Sequence, residues 1–415
     1  MPSVDTGAPV RTGASPERFP SSRRISLALF AVGLATFALL FSTQPLLPAL
    51  SADFGVTPGQ ASWTVSAATI ALAVAVLPLS ALSERFGRRT LMTGSLAVAV
   101  AVALAQPFAP NLEVLIALRA VQGAAIAGIP ASATAYLAEE VRPAALVGAI
   151  GLFVAGNSVG GMTGRVLTGW VAEGWGWRTG LAAVGVLSLL FAIAYRLLIP
   201  RARNFTPASL RPAEMLEAVR GHLSDGLLVR LYSLGLLFMA VFGAVYTVVG
   251  YRLTAEPFGL SQGLAGSVFV IYLVGTVSSA AAGRLVGRLG RRGALYLAIG
   301  ATATGLLLTL GDTLTAVLLG LVLVTAGFFA GHAVASGSVG RTAKTGRAQA
   351  SALYQMAYYT GSSLGGTLGA VAYHAAGWSA TVALALTALV LAAGVTLYAT
   401  RRAVVRRRLE VARSC

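Results

Sequence analysis

The chain has 415 residues, of which 56% are hydrophobic and 11% charged, and a formal net charge of +17. Soluble domains carry roughly 25% charged residues, so this composition excludes an ordinary water-soluble protein and makes lipid the solvent of most side chains. A charge of +17 would suggest nucleic acid in a soluble chain; here the basic residues cluster between apolar runs, which argues for membrane topology and against a nucleic-acid partner.

Residues 1–24 are rich in Pro, Ser, Gly and Thr, lack apolar periodicity, and read as a disordered tail. A membrane-spanning helix needs about 20 mostly apolar residues. Pro, Gly and charge punctuation divide the chain into twelve such runs: 25–47, 61–82, 90–108, 112–137, 146–171, 179–199, 231–251, 262–285, 294–310, 314–340, 348–373 and 378–400. The first run is too long for a signal peptide and reads as a retained span. The expected domains are a six-helix bundle over 25–199, a polar linker over 200–230, a second six-helix bundle over 231–400 and a basic tail over 401–415. The linker carries Arg201, Arg203, Arg211, Glu214, Glu217 and Arg220 and room for one surface helix. The single cysteine, Cys415, allows no intramolecular disulfide and is misplaced for a prenylation box.

Seven segments hold 25 of the 31 Lys and Arg residues: 1–24, 83–90, 138–145, 200–227, 284–293, 340–349 and the residues after 400. Twelve crossings put all seven on one side, while the loops of the other side hold Arg178 and Arg252. The positive-inside rule then makes both termini of a multi-pass membrane protein cytoplasmic. Arg401, Arg402 and Arg406 to Arg408 are placed to meet anionic lipid head groups.

The two halves repeat. Ser80-Ala-Leu-Ser-Glu-Arg-Phe-Gly-Arg-Arg89 returns as Gly283-Arg-Leu-Val-Gly-Arg-Leu-Gly-Arg-Arg292, with Glu84 aligned to Gly287. Gly156 aligns with Gly361 and Gly176-Trp177 with Gly377-Trp378, at offsets of 205 and 201. The expected fold is therefore an all-α polytopic membrane protein, twelve transmembrane helices in two pseudo-symmetric six-helix bundles related by an axis normal to the membrane. Gly156, Gly160 and Gly164 in the fifth run, and Gly361, Gly365 and Gly369 in the eleventh, recur every fourth residue. That ridge lets helix backbones approach closely, which supplies packing energy in lipid.

These residues resemble the major facilitator superfamily. Ser80 to Arg89 is similar to its signature loop between helices two and three, and Arg119-Ala-Val-Gln-Gly123 to its helix-four motif. Gly33 to Leu40, Gln44-Pro-Leu-Leu-Pro48, Gly156 to Arg165 and Gly327-Phe-Phe-Ala-Gly-His332 resemble the branch of YnfM-type bacterial inner-membrane permeases, often grouped with arabinose-efflux proteins. The resemblance implies a bacterial plasma membrane and alternating access, with helices one, four, seven and ten lining a cavity and three, six, nine and twelve facing lipid. It also implies a cytoplasmic gate around Glu84, Arg85, Gly87, Arg88 and Arg89, with Arg142 below helix four. Two departures stand out: Glu84 replaces the usual Asp, and Asn157 replaces the proline of the helix-five antiporter motif.

Arg119 and Arg165 are the plainly intramembrane charges, each expensive in lipid and each expected to face the protein interior. Arg119 and Gln122 share one helical face by their spacing, and Asn157 and Arg165 belong to a second polar stripe. In the other half His332 and Ser336 share a face of the tenth run, Gln355 and Tyr359 one of the eleventh, and Tyr246 offers an aromatic surface on the seventh. These nine residues are the expected substrate cavity. No Asp or Glu lies deep in any run, so His332 is the deep candidate for a proton carrier, with Glu113 and Asp53 at the periplasmic mouth as carboxylate alternatives. Metal-ligand spacing, an ATP-binding loop and an acid pair for hydrolysis are absent. No cofactor or metal and no enzymatic activity are expected. The expected function is proton-coupled efflux of a small drug-like or sugar-like compound by a protein working as a monomer, the outward direction being implied by the resemblance alone. Its rivals are a uniporter or anion exchanger for a small organic anion, motivated by the two buried arginines, and a non-transporting sensor.

Overall fold

The computed structural model describes residues 22–207, 212–343 and 346–414. The predicted tail before Ser22, together with Arg211 and Cys415, falls outside them. Among the described residues every regular element is helical, and nine helical stretches are long and apolar enough to cross a membrane. Three of the nine are far longer than the roughly 30 Å that 20 helical residues cover. Each of these three is a pair of crossings joined through a bend. Pro143–Leu198 bends at Gly176, the stretch Gln262–Leu308 at Gly290, and Arg347–Tyr398 at Ala376 and Gly377.

The result is twelve crossings. They are α1 (Ser22–Phe54), α2 (Pro58–Phe86), α3 (Arg88–Phe108), α4 (Leu112–Glu140), α5 (143–175), α6 (177–198), α7 (Gly226–Thr254), α8 (262–289), α9 (291–308), α10 (Leu314–Thr342), α11 (347–375) and α12 (378–398). Gly87 and Gly290 turn the chain at φ 96° and 69°, conformations in which a side chain would be strained. They occupy equivalent places in the two halves.

Helix ends follow caps rather than the margins of apolar runs. Thr57 closes a capping box with Gln60, so α2 starts at Pro58, ahead of the expected residue 61. The Asp225 carboxylate accepts from the Leu227 and Leu228 amides at 2.7 and 3.2 Å, so α7 starts at Gly226 rather than 231. Asn111 and Thr313 cap α4 and α10, again in equivalent places. The first run departs most from expectation: its helix stops at Leu40, passes through residues 41–43 and a short turn at Gln44–Leu46, and resumes at Leu47–Phe54. Pro45 and Pro48 explain the interruption, since neither can donate to a continuous ladder.

Within each half the glycine ridge meets the half's first helix. A Cβ on Gly156 or Gly164 would stand 2.5 Å from the Phe30 or Ala38 carbonyl oxygen, and one on Gly160 would collide with Leu34. In the second half Gly361, Gly365 and Gly369 sit in the same way against Leu236, Ala240 and Ala244 of α7. Large apolar side chains on α3, α6, α9 and α12, among them Val98, Leu190, Leu197, Leu297, Leu307, Val390 and Leu391, point outward and stay exposed. That is the surface a helix presents to lipid.

The linker begins strapped to the first half. Tyr136 donates to the Pro200 carbonyl at 3.0 Å, and Glu140 Oε1 accepts from the Arg203 and Asn204 amides at 2.6 and 2.8 Å. A short helix, Pro212–Ser224, then reaches the second half, where His222 Nε2 lies 3.1 Å from the Gly346 carbonyl oxygen.

Candidate functional site

Arg119 is fully buried inside the first bundle. Its Nε donates to the Thr64 carbonyl and its Nη1 to the Leu39 carbonyl, both at 2.8 Å, while Nη1 also meets Gln122 Oε1 and Nη2 the Leu40 carbonyl. The interruption of α1 frees the Leu40 carbonyl, and Arg119 takes it up together with the Leu39 carbonyl, which also accepts from Ser42. Gln122 is equally buried and completes the cluster, accepting from Gln106 at 2.9 Å and donating to the Ala99 carbonyl at 3.1 Å. Both residues were expected on a cavity wall; the structure places them in the packed interior of the bundle, as a brace between α1, α2, α3 and α4.

Arg165 differs. Its Nε donates to Gln44 Oε1 at 2.7 Å and its Nη1 to the Gly161 carbonyl at 2.6 Å. Among the described residues no protein acceptor takes Nη2 and no carboxylate pairs with the guanidinium. Three aromatic faces surround it: Phe41 at 4.4 Å, Phe269 at 4.9 Å and Tyr272 at 4.8 Å from the guanidinium carbon to the ring centre. Phe41 belongs to the first half; Phe269 and Tyr272 belong to α8 of the second. Arg165 thus lies on the seam between the halves.

Across the seam the second half presents a continuous aromatic surface. Phe242 stacks on Phe328 at 4.0 Å and touches Tyr246 and Tyr272 at 4.5 and 5.3 Å. Tyr246 is buried, its hydroxyl 2.6 Å from Thr325 Oγ1. His332 is half-buried, with Nδ1 3.0 Å from the Tyr354 hydroxyl and its ring 4.7 Å from Tyr358. Tyr359 meets Tyr358 edge-on at 5.1 Å. Ser336 donates back to the Ala333 carbonyl at 3.4 Å. The buried polar atoms without a hydrogen bond include Gln355 Oε1, Tyr272 Oη and, in the first half, Asn157 Oδ1. Asn157 lies against Gly33 of α1, where a Cβ would stand 2.5 Å from that oxygen.

The other candidates sit at the two ends. Asp53 accepts from Trp177 Nε1 at 2.9 Å and Arg178 Nη1 at 3.1 Å, and Glu113 is exposed in the first turn of α4. Arg119 is committed to other partners and forms no pair with Glu113. In the signature loop the ion pair joins Arg88 to Glu139 at 3.1 Å, with Arg88 also donating to Ser83 at 2.7 Å. Glu84 was expected to reach Arg142, yet Arg142 stands exposed at the start of α5 and the two do not pair. Instead α4 runs on to Glu140, past the expected end at 137, and turns Glu139 toward the loop while Glu140 takes the linker amides. Arg85 lies 5.5 Å over the Phe86 ring, and buried Arg89 Nε has no partner.

Several of these residues escape a reading of the sequence. Glu139 and Glu140 directly follow an apolar run, a signal that could have marked them. Gln44 is aimed inward by the prolines beside it. Phe41, Phe269, Tyr272 and Glu173 give no signal beyond their type.

Among the described residues, the hydrogen bonds seen between the halves occur at the end away from the basic loops. Tyr251 donates to the Leu47 carbonyl at 2.9 Å and lies 2.6 Å from Ser51 Oγ; Gln262 donates to the Pro45 carbonyl at 2.8 Å. Ser66 lies 2.7 Å from Thr367, and Trp170 donates to Ser267 at 2.9 Å. Glu173 Oε2 accepts from Ser261 Oγ at 2.8 Å and from the Gly263 amide at 2.6 Å, at the start of α8.

A seam closed at one end between two repeated six-helix halves is a transporter's arrangement, and comparison with known proteins agrees. The family model described as Major Facilitator Superfamily matches residues 25–336 and 231–413. The chain is 37% identical over 382 residues to the uncharacterized MFS-type transporter YybF of Bacillus subtilis, covering 92% of this chain and 95% of that one. It is 39% identical over 373 residues to the inner membrane transport protein YnfM of Escherichia coli, covering 90% and 89%. Among solved structures, a bacterial homolog of the human lysosomal transporter Spinster, inward-facing and unoccupied, superposes with a TM-score of 0.74 at 17% identity, covering 92% and 97%. On this evidence the chain belongs to the Major Facilitator Superfamily, a family of membrane transporters rather than enzymes.

Proposed function

We propose that the protein is a proton-coupled secondary transporter that expels a small organic compound from a bacterial cell by alternating access, working as a monomer with both termini in the cytoplasm. One observation carries the reading: the hydrogen bonds between the halves lie at the end opposite the basic loops. With the basic loops assigned to the cytoplasm, this conformation has its outer gate shut. In the proposed cycle a compound enters from the cytoplasm between Asn157 on one side and His332, Gln355 and Tyr359 on the other. His332 carries the proton, since it is the titratable side chain on that surface whose ordinary pKa lies near neutrality. Export rather than import rests on the resemblance to the efflux branch.

The coupling is tested in everted vesicles holding a respiration-driven proton gradient, read by acridine-orange fluorescence while a metabolite and drug panel is added. A compound carried in exchange for protons restores fluorescence in wild type and not in His332→Ala. A carried compound whose rate is the same with and without the gradient overturns proton coupling.

A further inference from the structure

The two intramembrane arginines differ in one respect that bears on the cargo. All three Arg119 nitrogens meet protein oxygens, whereas among the described residues Arg165 offers Nη2 to no protein acceptor. Arg165 is 3% exposed, and neutral oxygens and aromatic faces offset only part of the cost of holding a charge there. Beside it Tyr272, also buried, keeps a hydroxyl without a partner. A buried cation lacking a counter-charge, next to an unused donor, fits an anion of a size to sit in the seam. A carboxylate suits it best, because its charge offsets the guanidinium and its two oxygens can accept from Nη2 and from the Tyr272 hydroxyl. The faces of Phe41 and Phe269 around the guanidinium supply an apolar wall for the rest of such a molecule.

We propose that the cargo is an organic carboxylate whose charged group is held between Arg165 of the first half and Tyr272 of the second. This rests on the transport reading above and names its substrate class. The site is split: Gln44, Phe41 and Arg165 travel with one half, Phe269 and Tyr272 with the other. Parting the seam therefore pulls the anion's two holders apart, so opening the outer gate and loosening the carboxylate are one event.

The test uses purified full-length protein in a neutral detergent at fixed chloride. Benzoate, phenylacetate and hexanoate are compared with their amides and with benzylamine by thermal shift. At least one acid is expected to raise the melting temperature while its amide and benzylamine do not. Arg165→Gln should abolish that shift, Arg165→Lys should retain part of it, and Tyr272→Phe, which keeps the ring, should weaken binding about tenfold. Equal stabilisation by acids and amides, stabilisation by none of the acids, or an undiminished shift in Arg165→Gln overturns the assignment. Should Arg165→Gln fail to fold, Tyr272→Phe decides alone, and an unchanged affinity there overturns it. Passage across the bilayer is followed separately, as radiolabelled uptake of the binding acid into proteoliposomes. Binding without passage would sink the transport reading and leave the carboxylate site standing; passage of a compound that Arg165→Gln still carries would do the reverse.

Discussion

Every nitrogen of the Arg119 guanidinium meets an oxygen of the first half, and three of those oxygens are main-chain carbonyls of α1 and α2. Truncating the side chain removes four hydrogen bonds to a charged group, each worth about 1.5–3 kcal/mol, and leaves the Leu40 carbonyl unpaired, while Leu39 and Gln122 keep Ser42 and Gln106 as partners. Arg119→Ala should therefore lose at least about 3 kcal/mol of stability, seen as a lower melting temperature and a smaller monodisperse fraction. Arg119→Lys should recover only part of it, because an ammonium cannot reproduce the fork. An Arg119→Ala protein that melts with wild type would show that the brace is not structural. His332 behaves differently, since its one hydrogen bond goes to Tyr354, a residue of its own half. His332→Ala should leave melting close to wild type and remove the dependence of transport on the proton gradient. A reading of sequence finds both residues and cannot tell their roles apart, because helical spacing gives a face and not the neighbour that face meets.

Between α5 and α1, and between α11 and α7, glycines recurring every fourth residue bring main chains into contact. Gly160→Leu inserts four carbons where even a Cβ collides with Leu34. We expect it to prevent the first half from packing and to abolish folded protein in fluorescence-detected size exclusion. Gly151 in the same helix has open space around it, so Gly151→Ala should fold as well as wild type or slightly better, by up to about 1 kcal/mol of helix propensity. Equal yields from the two substitutions would refute the ridge as a packing surface. The spacing of this ridge is plain in the sequence, as are the twelve apolar runs and the glycine turns. Less legible are the ends of α2, α4 and α7, which caps and paired acids decide, and the inward break of α1. The face of α8 is hidden too: Val268–Ile271 winds as a tighter turn, which rotates Tyr272 away from where a regular helix would put it.

The halves of the molecule meet through few polar contacts, and Glu173 supplies two of them from a single oxygen. Glu173→Ala should weaken the outer closure. In a Cys415→Ser background, spin labels at Asn111 and Asp312, in loops of the same end but opposite halves, should report a longer distance by electron resonance. An unchanged distance distribution would assign closure to the other contacts. The convergence of α5 and α8 on this end joins residues about 90 positions apart, which no local pattern in the chain announces. One feature of α1 ties these scales together. Its inner segment is clamped by Arg119, while its outer segment, Leu47–Phe54, bonds through Leu47 and Ser51 to Tyr251 of the other half. The unwound residues 41–43 between them are the natural pivot. When the outer end separates, the short segment can tilt while the long one stays put, so the first crossing flexes at its middle instead of swinging as a rod.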